Sequence, residues 1–155
     1  MVWYWIDNRL VVKMAVTLDI SAAPTDADLA IVGGELAAFN DADVGPSEKL
    51  PLAIFVRNET GDVLGGLSGY TAWGWLYVQW LWLSQELRGQ GLARKLLAAA
   101  ESEAIARGCH ASYIDTFNPD ARKAYERQGY SAFGELSDFP KGRTRVFLQK
   151  QLSPR

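Results

Sequence analysis

The chain has 155 residues, a formal net charge of −2, nearly half apolar residues and a single cysteine. That length suits one domain with one substantial core, and the weak acidic balance argues against a nucleic-acid surface as the main business. One cysteine excludes an internal disulfide, so a reducing cytoplasm is the expected setting. Cys109 reads as packing between a helix end and a strand start, and the lone His110 has no cluster of ligands around it, so no metal site is expected.

Residues 1–13, MVWYWIDNRLVVK, lack a basic start and a small-residue cleavage pattern, so they do not read as a signal peptide. No stretch approaches bilayer length. Met14 is a candidate alternative start, which makes residues 1–13 an expected N-terminal extension, dispensable or an oligomer contact, ahead of a single domain over 14–155. Residues 15–20 alternate and predict a first strand. Thr25 followed by Asp28 resembles a capping box, and Leu29, Ile31, Val32, Leu36 and Phe39 mark the helix behind it. Residues 40–49 read as a polar loop.

Residues 50–57, 63–71 and 75–83 predict an antiparallel meander. Gly65, Gly66 and Gly69 in the middle strand point to a bulge or a close backbone approach. A helix over about 92–107 closes at Gly108, and a strand over 111–116 should lie parallel to 75–83, because a helix joins them. A short helix over 119–127 starts with a favourable proline. Strands at 130–136 and 144–152 form a closing hairpin. The expected architecture is α/β, a mixed, mostly antiparallel seven-stranded sheet with helices on both faces.

The most informative stretch is 81–97, LWLSQELRGQGLARKLL. A strand end runs through a glycine-bearing turn into a helix start. The first amides of a helix have no intrahelical partner, and the dipole places positive charge there. Gly89 and Gly91 would let an anion approach the backbone, and Arg88, Arg94 and Lys95 add formal charge. The pattern fits a phosphate or pyrophosphate. A dinucleotide fingerprint would need glycine where Arg94 stands, and a Walker loop would need Gly-Lys-Ser/Thr. Two glycines that merely end a turn are the plainer alternative.

Two motifs together carry a resemblance. Arg88-x-x-Gly91-x-Ala93 matches the acyl-CoA-binding signature of the GNAT superfamily of N-acetyltransferases. Residues 118–130, with Asn118, Ala121, Tyr125, Gly129 and Tyr130, resemble that family's second signature, Asn-x-x-Ala-x-x-x-Tyr-x-x-x-Gly-Phe/Tyr. The chain resembles this family over roughly 15–152. The resemblance implies the GNAT fold, in which the parallel pair 75–83 and 111–116 splays apart, and direct transfer of acetyl from acetyl-CoA to an amine in a ternary complex. It implies that the pantetheine arm pairs with the backbone around Leu81 and Leu83, and that the pyrophosphate sits on Arg88, Gly89, Gln90, Gly91, Leu92, Ala93 and Arg94. It further implies that Asn118 contacts the pantetheine, while Tyr125 binds near the thioester sulfur and protonates the leaving thiolate. A homodimer is a common state in the family.

The acceptor side departs from the family pattern. Many members carry a carboxylate on the strand corresponding to 75–83, which here has no Asp or Glu and one amide, Gln79. Water relayed to Glu135, Asp138 or a backbone carbonyl is the fallback. Alternation places Trp73, Trp75 and Tyr77 on one face and Trp80 and Trp82 on the other. Trp73, Trp75, Tyr77 and Gln79 are candidate acceptor contacts, with core packing or a dimer edge as the plainer reading. Residues 134–142 resemble a bacterial GNAT subgroup with Gly-x-Leu-x-Asp-aromatic-Pro-x-Gly, except that Arg143 stands where many such proteins have His. Another acyl donor, O-acetylation, or a non-catalytic acyl-CoA sensor remain alternatives.

Overall fold

The computed structural model describes residues 2–6, 9–13 and 16–152. The chain forms two compact units, Met1–Gly45 and Pro46–Arg155. The first unit holds a hairpin of β1 (Val2–Ile6) and β2 (Arg9–Lys13), paired antiparallel, and helix α1 (Asp26–Val44). The capping prediction holds. The Thr25 hydroxyl oxygen accepts the Asp28 amide at 3.1 Å and donates to its carboxylate at 2.6 Å.

Two expectations for this unit need correction. Residues 16–20 form no strand, and Val16, Leu18 and Ile20 are exposed. Alternation supports a strand only where a neighbour takes up its backbone groups and a surface covers its apolar side, and these residues enter no ladder. Position 15 lies outside the described residues. Residues 40–44, read as loop, continue α1 until Gly45 at φ 86°. Asn and Asp cost a helix only a few tenths of a kcal/mol to about 0.7 each, so it runs on to the first true breaker.

The second unit is built on a six-stranded sheet of β3 (Leu50–Arg57), β4 (Val63–Ala72), β5 (Trp75–Leu83), β6 (Ala111–Thr116), β7 (Ser131–Leu136) and β8 (Arg145–Gln151). The order is β3-β4-β5-β6-β8-β7, and only β5–β6 is parallel. The count is six rather than seven because residues 16–20 enter no ladder. Helices α2 (Leu92–Ala106) and α3 (Pro119–Glu126) flank the sheet, α2 packing on β3, β4 and β5 and α3 on β6. The core joins Leu67, Leu76 and Val78 of the sheet to Leu96, Leu97 and Ala100 of α2.

Both helices end in the same way. Cys109 N–H bonds back to Ala104 C=O and Gly108 N–H to Ile105 C=O. Tyr130 N–H reaches Tyr125 C=O and Gly129 N–H reaches Glu126 C=O. These are Schellman closures, and the left-handed residue each one needs is a glycine, the expected Gly108 at φ 83° and Gly129 at φ 90°.

The feature that shapes the site is a bulge in β5. Ser68 pairs with Trp80 and Gly69 with Val78, leaving Gln79 unopposed. A β-carbon on Gly69 would collide with the Tyr77 carbonyl, so the close approach beside the bulge requires glycine there. A bulge adds one residue and so reverses alternation beyond it. Trp80 and Trp82 therefore share a face with Trp75 and Tyr77, opposite to the strict alternation read from sequence. Leu76, Val78, Leu81 and Leu83 line the covered side.

Candidate functional site

At the bulge, β5 also leaves β6. The parallel ladder runs Trp75–Ala111, Leu76–Ser112, Tyr77–Tyr113 and Val78–Ile114, then stops. A bulged strand bends and twists more strongly, so the rest of β5 diverges and opens a cleft of about 570 Å³. Tyr77, Gln79, Leu81, Asp115, Asn118 and Tyr125 line it, together with the face-switched Trp80 and Trp82.

At the far end of β5 the chain passes through a single 3₁₀ turn, Gln85–Leu87, into α2. Arg88 Nε donates to Leu83 C=O at 3.0 Å and Gln90 Nε2 to Glu86 C=O at 2.7 Å. These side chains brace the turn and leave its outer face to the backbone. Gly89 and Gly91 both sit at φ 74°, and a β-carbon on either would meet nothing within 4 Å. Gly91 is the N-cap of α2, with no side-chain cap and no acid in the first turn. The first hydrogen bond of the helix is Lys95 N–H to Gly91 C=O, so the amides of Leu92, Ala93 and Arg94 have no partner among the described residues. They border a cavity of about 500 Å³ lined by Gly89, Gly91 and Arg94 on one side and Ala124, Arg127 and Gln128 on the other. Open amides, a helix dipole and two guanidinium groups give this cavity the electrostatics that suit an anion.

The second motif meets the cleft from α3. Asn118 caps that helix, its Oδ1 accepting Asp120 N–H at 2.9 Å and Ala121 N–H at 3.3 Å. Its Nδ2 keeps its hydrogens for the cleft. Tyr125 is 6 % exposed, with its ring 6.3 Å from that of Tyr130. Burial, and secondarily the charge of Asp115, pushes its pKa up to about 12. The phenol therefore stays protonated through the neutral range and keeps a proton to donate.

The sequence-derived candidates divide. Leu81, Asn118 and Tyr125 meet in the cleft, with Tyr77 and Gln79 of the acceptor set. Leu83 is buried and its carbonyl is held by Arg88. Trp73 lies in the β4–β5 turn at φ 46°. Trp75 sits at the closed end of the parallel pair, edge-on to His110 and Tyr113 at 5.5 and 6.2 Å. Neither lines the cleft, because it opens only beyond Val78. Of the fallback carboxylates, Glu135 is paired with Arg122 at 3.0 Å and Asp138 accepts Gly142 N–H at 2.6 Å within its own turn.

Sequence reading passed over Asp115, the acidic residue of the cleft lining. Its side chain is 9 % exposed, with Oδ2 on Arg145 at 2.5 Å and Oδ1 accepting Tyr77 Oη at 3.3 Å. The Tyr77 ring stacks on that of Tyr113 at 4.6 Å and meets Tyr70 edge-on at 5.5 Å. Burial and Asp115 both raise the Tyr77 pKa. The available signal was a lone acid near the end of an otherwise uncharged strand, on the strand opposite the one searched. No group of three metal-ligating side chains occurs among the described residues, and no helix there is long and apolar enough to cross a membrane.

Comparison with known proteins gives a consistent result. The model of the Acetyltransferase (GNAT) family matches residues 30–130. Acetyltransferase Atu2258 of Agrobacterium fabrum is 50 % identical over 116 residues, covering 75 % of this chain and 85 % of that protein. A blasticidin-S acetyltransferase of Streptomyces morookaense is 37 % identical over 109 residues, covering 68 % and 80 %. A crystal structure of an Agrobacterium tumefaciens protein superposes with a TM-score of 0.85 at 43 % identity, covering 88 % of this chain and 99 % of that one.

Proposed function

Since the chain belongs to the GNAT family of acetyltransferases, we propose that it moves acetyl from acetyl-CoA to a primary amine by direct transfer within a ternary complex. The observation that carries this reading is the continuity of the two halves along β5. An uncapped helix start suits the pyrophosphate, and the gap left by the diverging strands suits the pantetheine and thioester. The backbone of Gly89–Arg94 binds phosphate oxygens. The edge of β5 around Leu81 that β6 leaves unpaired takes up the amide groups of the arm, as an added strand would. Asn118 Nδ2 donates to the same arm.

Tyr125 donates a hydrogen bond to the sulfur as the C–S bond breaks. Complete transfer from a phenol near 12 to a thiolate whose conjugate acid lies near 8.5 is uphill by roughly 5 kcal/mol. Its contribution is therefore stabilisation of developing charge, with water completing the protonation. The family match straddles the boundary between the two compact units, which supports residues 14–155 acting as one acetyltransferase domain. A chain starting at Met14 should bind acetyl-CoA as the whole protein does.

The test has two stages. Titration calorimetry should show micromolar acetyl-CoA binding. Thiol release should then rise with blasticidin S, the acceptor suggested by a relative's name, or with one of a polyamine, an amino acid and an aminoglycoside. The acid-free strand β5 favours a second reading, a non-catalytic acyl-CoA sensor. Binding with no thiol release from any amine would favour that sensor, and no binding by folded protein would remove both readings.

A further inference from the structure

The acceptor half of the cleft holds a polar device that the family motifs do not include. Tyr77, just before the bulge, and Asp115, one residue beyond the last parallel pair, are 38 residues apart in sequence and meet where the strands part. Asp115 is oriented by Arg145, and Tyr77 by stacking on Tyr113 and the edge of Tyr70. A buried carboxylate with both oxygens engaged and a phenol gripped on two sides form a fixed pair, which is costly to bury unless every partner is kept.

Resting on the acetyltransferase reading above, we infer that Tyr77 and Asp115 form the proton relay for the acceptor amine, replacing the carboxylate absent from β5. The amine enters as the free base, its ammonium proton having gone to solvent. As its nitrogen bonds to the thioester carbon, it loses a proton to Tyr77 Oη, and the Tyr77 proton passes to Asp115 Oδ1. The C–S bond breaks with its electron pair on sulfur, which takes a proton from water beside Tyr125. Asp115, still paired with Arg145, returns its proton to solvent. The sum is amine plus thioester to amide plus thiol. Tyr77 touches the acceptor, and Asp115 is a positioning residue that acts through it. Tyr77 Oη and Asp115 Oδ1 are 3.3 Å apart, and contacts of this kind tighten in the reactive complex.

A double-mutant cycle tests the relay. Tyr77→Phe, Asp115→Asn and the double variant are assayed with whichever of blasticidin S, polyamine, amino acid or aminoglycoside gives the fastest thiol release. Each single change should lower kcat about 100-fold, with acceptor KM and acetyl-CoA Kd moving less than about threefold. The double variant should be no slower than the slower single one. Asp115→Asn combined with Arg145→Gln removes the unpaired guanidinium and controls for structural damage. It should restore thermal stability and leave turnover low.

Turnover within threefold of wild type in either single variant would overturn the relay. So would effects that multiply in the double variant, or recovery of turnover when Asp115→Asn is combined with Arg145→Gln. Each of these outcomes leaves the acetyltransferase reading intact. Wild type that binds acetyl-CoA and acetylates no amine fails that reading first, and the relay falls with it.

Discussion

Helices α2 and α3 end alike and begin differently. Each closes on a glycine in a Schellman turn. At their starts, α3 carries an asparagine cap satisfying two amides, a proline that removes a donor and an aspartate in its first turn. The start of α2 has glycine at the cap, no acid and three amides without partners among the described residues. A side-chain cap is worth about 1 kcal/mol, so α2 forgoes a stabilisation that α3 takes. One helix start is completed by its own sequence, and the other has no side-chain cap, which is the feature the proposed pyrophosphate site rests on.

The comparison breaks most severely at Gly91. Gly91→Glu places an anion in the open cradle at a left-handed position, and acetyl-CoA affinity should fall about 100-fold or more by calorimetry. Because that φ also strains the backbone, Arg94→Glu on the exposed first turn is the parallel test. It should weaken binding roughly tenfold without shifting the melting temperature, and added salt should shrink the difference.

Tyr125→Phe should reduce kcat by roughly 10- to 100-fold while acetyl-CoA Kd stays within about twofold. Unchanged turnover with a true acceptor would remove this phenol from catalysis. At the closed helix start the pattern should invert. Asn118→Ala should cost stability, about 1 kcal/mol by denaturant unfolding, and weaken acetyl-CoA only several-fold through loss of the Nδ2 donor. A larger loss of binding than of stability would mean that the cap is secondary.

The smallest effect is in alkali. Tyr125 has a folded pKa raised to about 12 against about 10 unfolded. Its neutral form therefore supports the fold fully below pH 10, and that support is lost as pH rises from 10 towards 12. Wild type should keep a constant stability difference from Tyr125→Phe from pH 7 to 9 and lose stability relative to it above pH 10.

The glycine turn into α2 was legible because its parts are local. A strand end, two glycines and a helix start lie within one run of sequence, and each has a meaning that neighbours cannot alter. The same holds for Thr25 as a cap and for Gly108 as a helix stop. Residues 16–20 were misread because alternation is necessary for a paired strand and not sufficient. Alternation also misplaced Trp80 and Trp82, since it assumes an unbroken ladder.

The sequence by itself determined where the three helices start and where α2 stops, which start carries no side-chain cap, and that the strand before it leads into that start. These follow from backbone conformations available to glycine, proline and asparagine over a few residues. Only the tertiary structure decided the rest. Gly69 of β4 admits the bulge at Gln79 through its close approach to the Tyr77 carbonyl, the bulge carries Trp80 and Trp82 to the cleft face, and the parting of β5 from β6 brings Tyr77 to Asp115. Each depends on the register between strands distant in sequence, which no local preference encodes.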